Sequence, residues 1–339
     1  MVAHAASKNA NLPVLGNILI EAQVGDIRLA ATNLEIGVSC SVRGKIEHPG
    51  SFTVNSKILS DYVALLPREN ISVALVTGDG ANSSTLQVTC GSTETKMRGI
   101  PAADFPLIPS IERTKKASVG VSELRNAISQ VIFAVSQSET RPELNGVYLS
   151  FDGSQLTLAA TDSYRLAERK VRLLERLSEP IEVIVPARAM QELLRVLSSS
   201  HDSSAFSDAA PVAVYVADNQ VLFAVGVVEI TSRVIEGQYP DYQQIIPRQH
   251  ATVARIATTE LVKGTKTASL FSRSGIYDVA VAFSPQRREV VLSAANTQVG
   301  ENMSRLSAEV TGSENRTVLN HRYLLDGLQG RATEDVELN

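Results

Sequence analysis

The chain has 339 residues, of which 44% are hydrophobic and 20% charged, and its formal net charge is −4. This length and composition indicate two or three folded domains, and the lack of an apolar run of about 18 residues excludes a membrane-spanning helix. The N-terminus lacks the pattern of a secretory signal. Cys40 and Cys90 are too few for a disulfide framework. The five histidines form no ligand spacing, so we expect no metal and no cofactor. The two cysteines are expected to be ordinary thiols in a reducing compartment, and we therefore expect a cytoplasmic location.

Five helices are predicted in chain order from apolar residues at helical spacing. The first carries Ile58, Tyr62, Leu65 and Leu66 on the face expected to be buried, the second covers 122–136, the third carries Met190, Leu193, Leu194 and Leu197, the fourth covers 258–272, and the fifth carries Leu324, Leu325 and Leu328. Gly264 weakens the fourth helix by roughly 1 kcal/mol relative to alanine. Alternating apolar residues at 147–151 and 279–283 predict strands between the helices.

The sequence repeats itself. Residues 158–167 read Leu-Ala-Ala-Thr-Asp-Ser-Tyr-Arg-Leu-Ala, and the first half of this stretch returns at 29 and at 292. The similar short segments that precede the first, third and fifth helices begin at 54, 185 and 319. A period of roughly 130 residues indicates one domain built three times. We therefore predict an α+β fold in which each copy packs two helices on mostly antiparallel strands, over 1–116, 117–250 and 251–339.

Three full periods exceed the length of the chain, and this predicts that both outer copies are incomplete. The first copy is expected to lack its opening strand and most of its first helix. The third copy is expected to stop shortly after its second helix, without its closing strands. Only the middle copy has room for a full set of elements.

Six motifs, in order along the whole chain, resemble the bacterial DNA polymerase III beta-subunit family of sliding clamps. They are Leu12-Pro13-Val14-Leu15-Gly16-Asn17, Pro101-Ala102-Ala103-Asp104-Phe105-Pro106, Leu144-Asn145-Gly146, Ala160-Thr161-Asp162-Ser163-Tyr164-Arg165-Leu166-Ala167, Val185-Pro186-Ala187-Arg188 and Gly237-Gln238-Tyr239-Pro240-Asp241-Tyr242. The resemblance implies a homodimeric, head-to-tail ring with helices lining a central hole and strands outside. It also implies that the protein is not an enzyme. The implied function is that of a processivity factor that encircles duplex DNA without sequence preference.

The resemblance also implies protein partners that insert short peptides into a pocket between the second and third copies. These partners are the polymerase III alpha subunit, the clamp loader, other polymerases, and mismatch-repair or ligase proteins. The implied pocket residues are Leu144, Thr161, Ser163, Tyr164, Arg165, Leu166, Pro240, Gln244, Ile245, Asn320 and Tyr323. Aliphatic side chains give such a site its lining, and polar groups such as Thr161, Arg165 and Asn320 fix orientation. The alternative is that Leu166 and Ile245 are core residues and Arg165 a structural hydrogen-bond donor.

Two further residue sets are implied by the resemblance. Contacts to DNA phosphates are assigned to Lys8, Lys57, Arg125, Arg141, Arg188, Arg195, Lys263 and Lys266. The alternative for each helical residue among them is an ordinary solvated helix face. The dimer interface is assigned to Thr95, Met97, Leu270 and Phe271.

The sequence also bears on two other classes of protein. Asp162, Ser163, Tyr164 and Asp241 offer nucleophile and acid groups, but the sequence has no nucleophile elbow, phosphate loop or zinc-protease motif. An enzyme is therefore not predicted. The remaining alternative is a repeat scaffold that binds peptides but not DNA. It is distinguished by whether the recurring helices carry their Lys and Arg residues on a shared face.

Overall fold

A computed structural model describes residues 1–7, 11–77, 84–108, 111–138, 140–199, 207, 210–330 and 333–339. The chain divides into two compact units. Unit 1 comprises Met1–Ala160 and Glu168–Gly237, and unit 2 comprises Thr161–Ala167 and Gln238–Asn339. Among the residues in these described ranges, no helix has both the length and the apolar character needed to cross a membrane.

The described residues of unit 1 form fifteen strands and three α-helices, although the last residue of β10 and the first two of β11 belong to unit 2. The strands are β1 (Asn17–Gln23), β2 (Asp26–Thr32), β3 (Ile36–Val42), β4 (Gly50–Asn55), β5 (Ser72–Thr77), β6 (Ser84–Cys90), β7 (Thr93–Pro101), β8 (Lys115–Gly120), β9 (Gly146–Asp152), β10 (Gln155–Thr161), β11 (Leu166–Arg172), β12 (Ile181–Pro186), β13 (Pro211–Val216), β14 (Gln220–Val225) and β15 (Val228–Arg233). The helices are α1 (Ser56–Leu65), α2 (Val121–Val131) and α3 (Ala187–Ser198).

The strands of unit 1 form two sheets. Eleven strands follow the order β5-β6-β7-β4-β1-β2-β3-β15-β14-β13-β8, and four follow the order β11-β10-β9-β12. The larger sheet is continuous across the first two copies because β3 of the first pairs antiparallel with β15 of the second, from Val228 opposite Cys40 to Ser232 opposite Ile36. This pairing explains why two copies of the repeat cluster as one compact unit.

In the described part of unit 2 there are seven further strands and two α-helices. They are β16 (Thr252–Ala257), α4 (Thr258–Ser269), β17 (Asp278–Ser284), β18 (Glu289–Asn296), β19 (Gly300–Ser307), β20 (Glu309–Gly312), β21 (Asn315–Asn320), α5 (His321–Leu328) and β22 (Asp335–Leu338). The strands form sheets of order β20-β16-β22 and β19-β18-β17-β21. Gly264 lies where α4 approaches the second sheet, and a Cβ there would lie 3.0 Å from methyl groups of Leu292 and Leu306. The glycine therefore permits close packing of the helix on the sheet.

The same order of elements occurs three times, as the repeat predicts. In each copy three antiparallel strands are followed by a fourth strand that pairs with the first and leads into a helix: β1 to β4 with α1, β9 to β12 with α3, and β17, β18, β19 and β21 with α5. The register agrees as well, because Thr53, Ile184 and Val318 occupy one position, opposite Leu19, Tyr148 and Ala280. The predicted α+β fold of three copies is confirmed.

The predicted buried face of α1 is confirmed at Tyr62 and wrong at Ile58 and Leu65. Ile58 and Leu65 are 58% and 84% exposed, and no residue of α1 is fully buried. Tyr62 packs, together with Leu59, against a core of Phe52, Val54, Leu86, Val88 and Met97. A helix buries only the stripe that another element covers, and α1 packs on the sheet beside the short 3-10 turn Val2–Ala5. In the second copy, α2 packs against α3.

Two helix ends and one strand also differ from the predictions. The second predicted helix ends as an α-helix at Val131 and continues as the 3-10 turn Ile132–Ala134. The fourth ends at Ser269 rather than at 272. After α5, where no strand was predicted, β22 pairs antiparallel with β16.

Candidate functional site

The turn between β10 and β11 closes on itself through two side chains. The Thr161 hydroxyl donates to the Arg165 carbonyl at 2.6 Å and accepts from the Ser163 amide at 3.1 Å. Asp162 Oδ1 accepts from the amides of Tyr164 and Arg165, both at 3.0 Å. Ser163 has φ 75°, the left-handed conformation that such a tight turn requires. The turn thereby fixes where Tyr164 and Arg165 lie.

The first copy builds the same turn at 32–36, where no binding site is predicted. Its Thr32 hydroxyl donates to the Ile36 carbonyl, Asn33 Oδ1 accepts from the Ile36 amide, and Leu34 has φ 76°. The recurring Thr-Asp or Thr-Asn pair is therefore explained as turn-forming, and the Thr161 hydroxyl serves the turn. The feature specific to the middle copy is Arg165, whose place in the first copy is taken by buried Ile36.

Arg165 connects this turn to α5 within unit 2. Its Nε lies 3.0 Å from Asp162 Oδ2, a terminal nitrogen lies 2.6 Å from Asp326 Oδ2, and its guanidinium carbon lies 4.5 Å from the Tyr323 ring centroid. The side chain is only 19% exposed. Charge-assisted bonds and a cation–π contact reinforce one another when partly desolvated. These contacts fit the structural alternative for Arg165 and make it the anchor that positions the turn against the helix.

Asp326 is the residue of this cluster that sequence reasoning missed. It lies three residues after Tyr323 and so shares a face of α5 with it. The spacing from Tyr323 places an acid on the same face of α5 as a predicted site residue, but nothing in the sequence links this acid to Arg165. The structure brings Asp162, Arg165, Tyr323 and Asp326 together.

The other predicted pocket residues have varied environments. Tyr164 and Ile245 are strongly exposed, at 85% and 72%, which excludes the alternative of a core role for Ile245. Leu166 and Pro240 are half-buried. Gln244 is exposed and donates to Asp241 at 2.7 Å, while Asn320 caps α5 by accepting from the Arg322 amide at 2.9 Å.

Leu144 belongs to unit 1 and is a core residue there. Its carbonyl accepts from the Ser136 amide, just as the carbonyl of Leu15 in the first copy accepts from the Ser7 amide. Leu15 is also fully buried. The matched pair shows that this leucine belongs to the packing of the repeat.

The first residue of α5 is a buried histidine. The His321 ring meets the Tyr277 ring edge-to-face at 5.8 Å between centroids. Within the described part of the chain, its Nδ1 has no hydrogen-bond partner. Burial, and secondarily the Arg322 charge, lower the pKa of His321, with Asp278 acting in the opposite direction. The neutral form of the ring is therefore favoured beside Asn320 and Tyr323.

Exposed cations recur at one position of the repeat. Lys57 in α1 and Arg188 in α3 are both exposed second residues of their helices, and Arg322 is the exposed second residue of α5. Arg188 lies 4.0 Å from Glu35, and the Arg322 guanidinium lies 3.5 Å from the Tyr277 ring centroid. Arg322 was missed as a candidate DNA contact, although alignment of the three helix leads would have revealed it. Lys263 and Lys266 are exposed together on α4.

The remaining predicted DNA-contacting residues are bonded to other groups of the chain, half-buried or outside the described residues. Arg195 donates to the Glu192 carboxylate and to the Met1 carbonyl. Arg141 is paired with Glu143 at 2.9 Å, and Arg125 is half-buried. Lys8 lies outside the described residues. Carboxylate partners reduce the charge that Arg195 and Arg141 can offer to a phosphate.

Among the predicted dimer residues, Met97 is buried in the core of the first copy, so its side chain is not on the surface. Thr95 and Phe271 are half-buried, and Leu270 is 73% exposed. Among the described strands, β6 is the only one that pairs with Thr93–Arg98 of β7, and β18 the only one that pairs with β19. Both strands therefore offer an open edge.

Comparisons with known proteins agree along the whole chain. Family models of the DNA polymerase III beta subunit match in sequence order: the N-terminal domain at 1–109, the central domain at 118–241 and the C-terminal domain at 243–339. The beta sliding clamp of Synechocystis sp. is 30% identical over 352 residues, which cover 100% of this chain and 88% of that protein. The beta sliding clamp of Staphylococcus aureus is 30% identical over 343 residues, covering 98% and 87%.

Solved structures give the same result. The DNA polymerase sliding clamp of Bacillus subtilis superposes with a TM-score of 0.89 at 27% identity, covering 99% of this chain and 87% of that one. The sliding clamp of Pseudomonas aeruginosa, solved bound to griselimycin, superposes with a TM-score of 0.88 at 25% identity and the same coverage.

Proposed function

This chain belongs to the DNA polymerase III beta-subunit family, and on that premise we propose that two copies close into a ring around duplex DNA and hold partner proteins at the Arg165 turn. As a member of this family it is a sliding clamp, a processivity factor for DNA polymerase rather than an enzyme. The observation that carries the proposal is the basic residue at one position of three equivalent helices, Lys57, Arg188 and Arg322. A scaffold that binds only peptides would have no use for this recurrence.

The proposed DNA contacts are to phosphates. Cations at repeated positions suit a polyanion whose charge recurs along its axis, and contacts to phosphates carry no sequence information. Lys263 and Lys266 add two exposed charges on α4. Acting on chromosomal DNA, the protein would work in the bacterial cytoplasm.

The test of this function is topological. The clamp, loaded on circular DNA, is expected to remain bound at moderate salt and to slide off after the DNA is cut to a linear form. Equal retention on both forms would contradict the ring. Replacing Lys57, Arg188 and Arg322 together by glutamate removes these cations from both chains of the ring and is expected to reduce the salt dependence of DNA binding by up to about six phosphate contacts. The exposed loop variant Lys45→Glu is the matched control.

Ring closure is proposed to join β7 of one protomer to β19 of its partner. The template is the pairing of β15 with β3 inside the chain, where Thr231 lies opposite Gly37. The hairpins β6–β7 and β14–β15 turn at Gly91 and Gly226, both with positive φ. When the two hairpins are aligned on these glycines, their registers agree and Lys96 of β7 is equivalent to Thr231 of β15.

The register of β19 follows in the same way. Ala31 pairs with Val38 in the first copy, and its equivalent Ala294 pairs with Asn302, so Glu301 is equivalent to Gly37. The template therefore sets Lys96 of one protomer opposite Glu301 of its partner, where opposite charges stabilise a pair of strands. Open edges on β7 and β19 support the same assignment.

This register can be tested by exchanging charges. Lys96→Glu alone is expected to shift sedimentation from dimer toward monomer, because two acids would then face each other at both interfaces of the ring. Combining it with Glu301→Lys is expected to restore the dimer. Failure of the double variant to recover, with both chains folded, would contradict the register while leaving the clamp function open.

The partner site is proposed to use the exposed side chains of Tyr164 and Ile245 beside the anchored Arg165–Tyr323 pair. Extended peptides with Gln, Leu and Phe anchors suit a surface where exposed apolar groups adjoin polar ones. By this proposal the polymerase alpha subunit, the clamp loader, other polymerases, and repair or ligase proteins bind through such peptides.

A further inference from the structure

The three cations at the second position of α1, α3 and α5 have unlike surroundings. Lys57 is exposed and, among the described residues, has no ion-pair partner. Arg188 lies 4.0 Å from the Glu35 carboxylate. Arg322 also makes no ion pair with a described residue, but its guanidinium lies 3.5 Å from the Tyr277 ring centroid. Within the described part of the chain, Arg322 is thus the one of the three that is held in place without a carboxylate to offset its charge.

The aromatic residue under this cation occupies a defined position in the repeat. Tyr277 directly precedes β17, as Asn145 precedes β9 and Gly16 precedes β1. The Tyr277 carbonyl accepts from the amide of His321, the first residue of α5, at 2.8 Å. In the same way, the Asn145 carbonyl accepts from the amide of Ala187, the first residue of α3, at 3.1 Å. The position therefore lies beside the first turn of the helix that carries the cation.

The three copies fill this position with a glycine, an asparagine and a tyrosine. Gly16 offers no side chain. The Oδ1 atom of Asn145 is buried and has no hydrogen-bond partner among the described residues, so it does not hold the cation of the second copy. Tyr277 presents its ring face to Arg322. A guanidinium stacked on an aromatic ring keeps its full charge, because the ring carries no opposite charge, while its rotamers are restricted.

Tyrosine is not the residue that the local backbone favours here. Tyr277 has φ 59°, in the left-handed region that bulky side chains rarely adopt, and residues persist in such conformations where surrounding contacts fix them. The contacts are the Arg322 guanidinium over the ring face and the His321 ring at its edge. A cation in the first turn of a helix is also disfavoured by the helix dipole. Both residues of the stacked pair thus depart from what local stability favours, and this points to a function.

We propose that Tyr277 is a positioning residue that holds Arg322 ready for a DNA phosphate, which makes Arg322 the strongest of the three repeated phosphate contacts. An arginine side chain loses rotamer freedom when it binds, and a stacked side chain has lost part of it beforehand. The planar guanidinium can stack on the ring and still direct N–H donors from its edge to a phosphate. The inference rests on the proposed function, because it requires that the repeated cations contact DNA.

The test uses the full chain and its binding to a short labelled DNA duplex over a range of salt concentrations. Tyr277→Leu removes the ring, keeps a side chain in the same backbone conformation, and is expected to weaken binding about threefold to tenfold at fixed salt. The slope of log affinity against log salt is expected to stay unchanged, since no charge is lost. Tyr277→Phe keeps the ring and is expected to restore the wild-type affinity.

Arg322 variants test the same contact without altering Tyr277, so they decide the question even where Tyr277→Leu fails to fold. Arg322→Lys keeps the charge but cannot stack as a plane, and is expected to weaken binding about as much as Tyr277→Leu, with the slope unchanged. Arg322→Gln is expected to lower the slope by about two, for one phosphate in each protomer of the ring. It is also expected to lose more affinity than Lys57→Gln or Arg188→Gln.

Combining the variants distinguishes positioning from a structural role. In the Arg322→Gln background, Tyr277→Leu is expected to have no further effect on DNA affinity, because no cation is left to position. The matched control is Tyr215→Leu. The Tyr215 ring also lies under an arginine, with the Arg113 guanidinium carbon 5.3 Å from its centroid, but Arg113 is paired with Glu229. Tyr215→Leu is expected to leave DNA affinity unchanged.

Three results would overturn the proposal while leaving the proposed function intact. The first is wild-type affinity in both Tyr277→Leu and Arg322→Lys. The second is an equal loss from Tyr277→Leu with and without the Arg322 side chain, which would show that Tyr277 acts on the fold. The third is a loss in Arg322→Gln no greater than that in Lys57→Gln. A wild-type protein that binds no DNA at any salt concentration would instead overturn the proposed function, and this inference with it.

Discussion

Helices α1 and α3 occupy the same place in two copies of one repeat, yet they bury different amounts of surface. Ile58 and Leu65 are largely exposed in α1, whereas their equivalents in α3, Ala189 and Val196, are fully buried. Both helices follow a strand with the same register, so the local fold does not account for the difference. α3 packs against α2 as well as its sheet, while α1 meets its sheet and the short 3-10 turn Val2–Ala5. Apolar spacing therefore indicates which faces can be buried, and the neighbours decide which are.

The largest expected effect follows from this difference in burial. Leu193→Ala in α3 removes a fully buried side chain and is expected to lower the free energy of unfolding by about 2–5 kcal/mol. Leu65→Ala in α1 is expected to change it by less than about 0.5 kcal/mol. Urea unfolding of both variants measures the contrast. Equal losses would show that α1 is covered in solution by something that the structure does not contain.

The turns of the first two copies provide the next comparison, because Arg165 takes the place of Ile36. Arg165→Ala leaves the Asp162 and Asp326 carboxylates without their cation and is expected to cost about 1–3 kcal/mol of stability. By the proposed function it also weakens binding of a partner peptide, since the turn loses its connection to Tyr323. Arg169→Ala, an exposed arginine on β11, is the control for loss of charge. Calorimetric titration and thermal unfolding give the two readouts, and unchanged values in both would contradict the anchoring role.

Local features of this protein were predictable, and long-range partners were not. The five helices follow from apolar spacing along the chain, because each is formed by residues close in sequence, and the threefold repeat follows from the recurrence of its motifs. Asp326 lies 161 residues from Arg165, and no periodicity links an acid on one helix to an arginine on a distant turn. Met97 was predicted at the surface, but it alternates inward on β7 and joins the core with Phe52 and Leu86.

A smaller effect is expected at Tyr62, the α1 equivalent of Leu193. Its hydroxyl is buried and, among the described residues, has no hydrogen-bond partner. A buried polar group without a partner costs free energy that its removal recovers. Tyr62→Phe is therefore expected to leave stability unchanged or to raise it by up to about 1 kcal/mol. A clear loss in urea unfolding would reveal a partner for the hydroxyl, such as an ordered water molecule.

The smallest expected effect distinguishes α5 from α1 and α3, whose first residues are Ser56 and Ala187 rather than His321. Burial and Arg322 lower the pKa of His321 below its ordinary value of 6.5, so the unfolded chain binds this proton more readily than the folded one. The contribution of the neutral His321 ring to stability is then fully present above about pH 6.5 and is lost as the pH falls from there through the folded-state pKa.

His321→Phe keeps an aromatic ring against Tyr277 and is expected to remove this part of the pH dependence, whereas His250→Gln, at an exposed histidine, is expected to retain it. The measurements are the imidazole proton shifts of His321 and the urea midpoint between pH 5 and 8. An unchanged slope in His321→Phe would mean that the carboxylates of unit 2, and not this ring, set its response to acid.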